Sequence, residues 1–241
     1  MKSKAVKVER ERGANRRQFL KISGLTMMSA GVLVACDKDD DMMTPTPGPD
    51  PIFDLGEGDL GVLNYAYALE QLEADFYSKV VNSFYSGISD VEKQVLTDLY
   101  NHEVNHREFF KAALGVATGG DTSLVTPTLE FDYGGLDFNN RDAVLGTAKV
   151  LEDTGVAAYN GAGYLITNPD YLLIAGKIVS IEARHASAIR SLINPNSADF
   201  AGDDIVTEAD GLDAAMAPSA ILAAVGATGF VKTVFTANKL P

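Results

Sequence analysis

Glu103-Val-Asn-His106 and Glu182-Ala-Arg-His185 are two copies of one pattern, Glu-x-x-His, and the reading of the chain turns on them. Residues three apart on a helix lie on one face, one turn from each other. Each copy therefore offers a carboxylate and an imidazole in the same direction. The chain has three histidines, and two of them sit in this pattern. With 12 Glu among 241 residues, two such coincidences have a chance of roughly 1%. The doubling favours metal ligation over exposed glutamates and histidines that merely satisfy a core.

Two further glutamates extend the repeat. Glu70 lies 33 residues before Glu103, and Glu152 lies 30 before Glu182. A tyrosine follows each at seven residues, Tyr77 and Tyr159, two helical turns on and on the same face. The chain thus reads as one unit twice: Glu-x6-Tyr on a helix, then Glu-x-x-His on the next. Hydrophobic periodicity at Leu60, Leu63, Tyr67, Leu69, Leu72, Phe76 and Val80 sets a first helix from Asp59, its expected N-cap, to Asn82. A short turn, 83–88, makes the next helix an antiparallel neighbour. Ser89-Asp90-Val91-Glu92 opens that helix with a capping box, and Gly115 is its expected stop after Leu114. Residues 116–139, with Gly119-Gly120, Pro127 and Gly134-Gly135, are too long for a hairpin turn, and Phe131, Tyr133, Leu136 and Phe138 are expected to pin them to the bundle. A third helix spans Asn140 to Ile166. Asn168-Pro169 breaks it and starts a fourth, Asp170 to Ile193, which ends before Pro195. The expected fold is all-α: a four-helix bundle over 59–193 with one long crossover between its second and third helices.

The stretches Ala-Leu-Glu70-Gln-Leu-Glu-Ala-Asp-Phe-Tyr77 and Leu-Glu152-Asp-Thr-Gly-Val-Ala-Ala-Tyr159 resemble the ferritin-like domain family, in the branch that includes plant desiccation-related proteins. The resemblance covers Asp59 to Leu192. It implies a di-iron or di-manganese carboxylate centre built from one Glu on each of two helices and a Glu-x-x-His on each of the other two. It places Glu70 and His106 at one metal with Glu103 bridging, and Glu152 and His185 at the other with Glu182 bridging. Glu73 competes with Glu70, but only Glu70 reproduces the spacing of Glu152 to its tyrosine, so Glu73 is expected beside the ligands or on the surface. No residue beyond the ligands is assigned a catalytic role. Tyr77 and Tyr159 are expected as core packing, with a hydrogen bond to a ligand or an electron donation as the alternative. His102, a turn before His106, is expected at the surface or between helices, with orientation of a ligand carboxylate as the alternative. Small residues near the ligands, Gly155, Ala157, Ala158, Gly161 and Gly163, offer an access path.

Four carboxylates balance two divalent cations in charge, and without metal some would be forced to protonate. An oxygen-rich set suits iron or manganese better than zinc. The expected activity is reaction with Fe(II), dioxygen or peroxide in oxidative or iron stress. Whether the centre turns over is open; if it does, it is a di-iron oxidoreductase of ferroxidase or peroxidase type. The alternative is a non-catalytic stress or desiccation-related envelope protein with a structural or vestigial metal site.

Residues 1–35 read as an export signal. Asn15-Arg16-Arg17-Gln18-Phe19-Leu20-Lys21 resembles the twin-arginine motif, the apolar run Ile22 to Ala35 has the length of a signal core, and Leu33-Val34-Ala35-Cys36 resembles a lipobox. Cys36, the only cysteine, is therefore the expected lipidation site, anchoring the chain in the cell envelope at the periplasmic side or the outer membrane. A single cysteine also excludes an internal disulfide and a four-thiolate iron centre, so a redox-active centre needs an external electron donor. Residues 36–58 are acidic and Pro/Thr-rich and are expected to form a disordered tether. Beyond residue 35 the chain carries 12 basic against 31 acidic residues, a net charge of −19. That excludes nucleic acid as a partner. In the C-terminal extension, 194–241, Ala217 to Val225 is a candidate fifth helix. Phe230, Val231, Val234 and Phe235 are too apolar for a free tail and are expected to pack on the bundle, or otherwise on a second copy in a homodimer.

Overall fold

Two helical hairpins form the core of the computed structural model, which describes residues 52–207 and 209–241. The signal segment, Cys36 and the tether as far as residue 51 lie outside the described residues. Helix α1 (Gly58–Asn82) pairs with α2 (Asp90–Ala117), and α3 (Arg141–Ala162) pairs with α4 (Pro169–Ile193). The hairpins meet through α1 against α3 and α2 against α4. The chain is thus a mostly helical, ferritin-like four-helix bundle with its long crossover between α2 and α3. Among the described residues no helix is long and apolar enough to cross a membrane.

Local chemistry sets the helix ends. Ser89 and Glu92 close a full capping box on α2, Asn140 caps α3 through Ala143 N–H, and Asn168 caps α4 with Pro169 in its first turn. Three boundaries in the bundle differ from the sequence expectation. Helix α3 ends at Ala162, and Gly163–Leu165 form a 3-10 turn where the helix is expected to reach Ile166. Asp59 is not a cap: α1 begins at Gly58 after Glu57, which makes no side-chain cap. The Asp59 carboxylate instead accepts from Thr167 N–H, the Thr167 hydroxyl and Asn168 N–H, tying the α3–α4 link to the start of α1. Helix α2 passes through Gly115 and stops only before Gly119 and Gly120, which carry the positive φ angles of a helix terminator (64° and 90°).

The crossover is strapped along α1 by two buried amides two turns apart. Asn64 donates to the carbonyls of Leu55 and Leu124 and accepts from Thr126 N–H. Gln71 donates to Pro127 O and accepts from Leu129 N–H. These bonds satisfy backbone groups that the irregular segment would otherwise leave unpaired. Tyr133 is buried against Phe76 and Phe138, with Phe131 and Leu136 packed at the core's edge.

The last residues expected in the tether are ordered. Phe53–Asp54 (β1) pairs in parallel with Phe235–Thr236 (β2), Leu55 is fully buried, and Asp54 accepts from Gly56, Thr236 and Asn238. Phe53, half-buried, and Leu55 supply the burial that the Pro/Thr-rich stretch before them lacks. Helix α5 (Pro218–Thr228) inserts Ile221 and Val225 into the main core, and the Phe230 ring lies 4.9 Å from that of Tyr133. Val234 is 67% exposed.

Candidate metal centre

Glu70 on α1, Glu103 and His106 on α2, Glu152 on α3, and Glu182 and His185 on α4 converge at the bundle centre. All four carboxylates are fully buried. They fall into two groups of four donors, each within 4.8 Å of one another: Glu70, Glu103, His106 and Glu182, and Glu103, Glu152, Glu182 and His185. The groups share Glu103 and Glu182. His106 Nδ1 lies 3.0–3.4 Å from oxygens of Glu182, Glu103 and Glu70. His185 Nδ1 lies 2.8–3.3 Å from oxygens of Glu103, Glu182 and Glu152.

Without a metal, protons and imidazoles carry the charge balance. Burial pushes the Glu70 carboxyl well above the carboxylate range against the pull of His106, and it pushes Glu152 up to about 8 against His185. Burial acts upward on Glu103 too, but His106 and His185 together hold it down at about 2. Burial disfavours the His106 imidazolium, yet Glu103, Glu182 and Glu70 around it raise it to about 12. His185 is raised in the same way by Glu152, Glu103 and Glu182.

One oxygen of each carboxylate, Glu70 Oε2, Glu103 Oε1, Glu152 Oε2 and Glu182 Oε1, is buried with no aligned hydrogen bond and faces an imidazole Nδ1 at 2.8–3.4 Å. Four buried carboxylate oxygens gathered around two imidazole nitrogens, with no other partner, fit a site built for cations. The oxygen-rich donor set, with one imidazole per group, fits iron or manganese.

The tyrosines do more than pack. Tyr77 donates to Glu152 Oε1 at 2.5 Å, and Tyr159 donates to Glu70 Oε1. Each hydroxyl occupies the oxygen turned away from the imidazoles, so it fixes the carboxylate and leaves the other oxygen facing the cluster. The partners lie on opposite helices, α1 and α3, in antiparallel register, rather than on the helix that carries each Glu-x6-Tyr.

His102 sits on α2 outside the cluster, edge to edge with His185, with ring centroids 5.1 Å apart and planes 8° apart. Its Nδ1 is 2.9 Å from His185 Nε2. If His185 Nδ1 serves the cluster as a ligand, its Nε2–H must donate to His102 Nδ1, which fixes the tautomer and ring orientation. His102 therefore lies at the surface between α2 and α4, as the sequence reading expects, and what it orients is an imidazole rather than the carboxylate of the alternative. Replacing His102 with alanine is expected to weaken Mn(II) binding at the His185 position about 10- to 100-fold, read by metal titration.

Glu73 is buried beside the cluster and outside both groups of four. Burial, and after it the charges of Glu103, Glu182, Glu152 and Glu70, push its carboxyl well up. Its place is made by Gly155, three residues after Glu152 as Glu73 is three after Glu70. A Cβ on Gly155 would stand 3.0 Å from Glu73 Oε1. Comparison of the two repeat halves, Glu against Gly at one position, is the sequence signal for this asymmetry. Of the other small residues, Ala158 lines an apolar cavity beside the site, whereas Gly161 is covered by the backbone of Met216.

A family model described as a ferritin-like domain matches residues 58–195. No curated protein matches the chain.

Proposed function

This chain belongs to the ferritin-like domain family, and we propose that it is an exported, lipid-anchored protein whose six ligands hold two iron or manganese ions that react with dioxygen or peroxide. The four buried carboxylate oxygens that face the two imidazoles at the bundle centre carry the reading. Bound there, the metals would supply electrons to a small oxidant. Glu103 and Glu182, common to both groups, hold the two positions together; Glu70 with His106 and Glu152 with His185 complete them. Tyr159 and Tyr77 keep the two terminal carboxylates turned toward the cluster. With no cysteine in the bundle, electrons for repeated turnover come from an external donor. Export and anchoring through Cys36 rest on the signal motifs; mass spectrometry of the mature N-terminus checks them.

Anaerobic loading with Fe(II) or Mn(II) tests the centre. Uptake of about two metals per chain is expected, with release of at least about two protons at pH 7. In the metal-free protein His106 holds its proton up to about pH 12, and His185 is raised likewise. Metal must displace both, so apparent affinity rises with pH, about tenfold per unit for each proton displaced. Exposure of the Fe(II) form to dioxygen or peroxide then reads reactivity. A folded protein that binds no metal rules out the assignment. Stoichiometric metal that is never oxidised favours the structural, stress-related alternative.

A further inference from the structure

An apolar cavity of about 30 Å³ lies against Tyr159, the residue that donates to Glu70 in the Glu70–His106 half of the cluster. Leu63, Ala66 and Leu69 of α1, Phe110 of α2, Ala158 of α3 and Ile174 of α4 line it. Tyr159 also lines it, with its ring 6.3 Å from that of Phe110, and its hydroxyl donates to Glu70. Ala66 lies one turn before Glu70, and Phe110 one turn after His106, so the cavity shares helix faces with two of the proposed ligands. Phe109, 39% exposed, and the half-buried Tyr171, Ile174 and Ala175 form its outer wall.

We propose that this cavity is a binding site for dioxygen and its route to the Glu70–His106 position. Size and chemistry select the occupant. A water molecule needs about 10–15 Å³ by the same measure, so the space suits a molecule of two heavy atoms and excludes a larger organic substrate. Peroxide has the right size but would lose its hydrogen bonds in such a lining, a cost dioxygen does not bear. A hydrogen-bonding oxidant has a different approach: His106 is 13% exposed at the polar edge of the cluster, and the exposed His102 stands beside it. The cavity therefore separates the two oxidants left open above. The inference rests on the proposed centre only for its kinetic readout.

Xenon, an apolar probe, tests the cavity without reference to metal. Crystals under xenon pressure are expected to show one atom among Ala66, Phe110 and Ala158. Ala66→Leu fills the interior; Ala175→Phe closes the rim and stands in should the first variant fold poorly. Either is expected to exclude xenon. In the Fe(II)-loaded protein, oxidation by dioxygen is expected to slow about tenfold or more, while oxidation by peroxide stays within about twofold of wild type. Absence of xenon from the wild type overturns the proposal. So does an unchanged dioxygen rate in a variant that excludes xenon, or an equal slowing with both oxidants. A wild-type chain that takes up no Fe(II) overturns the metal reading, and this one with it; Fe(II) uptake with any of the preceding results overturns this one alone.

Discussion

Glu103→Ala is expected to empty both metal positions, whereas Glu70→Ala empties one. The difference follows from membership: Glu103 belongs to both groups of four donors, and Glu70 to one. Removing Glu103 takes an anionic donor from each position and leaves the His106 and His185 imidazolium protons without the carboxylate that faces both. Loss of a ligand costs more than loss of a group behind a ligand, so each affected position should weaken by about 100-fold or more. Under limiting Fe(II) the Glu103 variant should retain almost no metal. Glu70→Ala should retain about one metal per chain, held by Glu103, Glu152, Glu182 and His185. Glu182→Ala should behave as Glu103→Ala, and Glu152→Ala as Glu70→Ala. Metal analysis after desalting separates the classes. Equal loss in all four variants would mean that the two positions form only as a unit. Equal retention would mean that the cluster is not where metal binds. Circular dichroism is the necessary control. Removing Glu103 unpairs two buried imidazolium groups and leaves a cavity, so the apo Glu103 variant should be less stable than the parent, and the spectrum shows whether it stays folded under the loading conditions.

The pairing of carboxylate and imidazole was legible in the sequence, because a doubled Glu-x-x-His has little chance of arising otherwise and its geometry is local; which glutamates are shared came from the family resemblance. A three-residue spacing on a helix fixes relative direction without knowledge of the fold. The tyrosines mark where local reasoning runs out. Seven residues place Tyr77 on the face of Glu70, but about 10 Å along the axis, too far for a hydrogen bond. The partner had to come from another helix. The doubled spacing contains the answer once α1 and α3 are set antiparallel, since Tyr77 then meets Glu152 where Tyr159 meets Glu70. His102 carried no such signal: it has no counterpart in the other half, where Ile181 stands. Asp59 satisfied the residue preference of a cap, but its carboxylate found two backbone N–H groups 108 and 109 residues away, and no local rule anticipates that competition. The apolar cavity was foreshadowed only as a set of small residues, of which Ala158 alone lines it and Gly161 serves the C-terminal segment.

Gly161→Ala is expected to be the most damaging single methyl group that can be added to this bundle. Gly161 is buried near the end of α3, and a Cβ there would stand 1.7 Å from the carbonyl oxygen of Met216. That obstacle is backbone, so no rotamer change relieves it. The strand of chain around Met216 is held at this distance from α3 by its own bonds: Met216 N–H donates to Ala157 O at 3.0 Å, and Asn160 donates to Ala214 O at 3.2 Å. A methyl group must push the segment away, breaking those bonds and loosening α5, whose Ile221 is fully buried in the main core. Overpacking against side chains costs about 1–3 kcal/mol; against backbone the upper part of that range applies, and roughly 5–10 °C of Tm is the corresponding loss in a domain of this size. Gly163→Ala is the matched control. It lies two residues on, in right-handed helical backbone, with open space where the methyl would go, and should leave Tm unchanged or slightly raised. Metal uptake should survive in both variants, because Met216 rests on α3 at Ala157 and Gly161, more than a turn beyond Glu152. Thermal unfolding of the two variants side by side decides the matter. A large gap places the C-terminal segment on α3 in solution. Equal stability would mean that the segment does not rest there, and would move its apolar residues, Phe230, Val231 and Phe235, to the surface of a second copy.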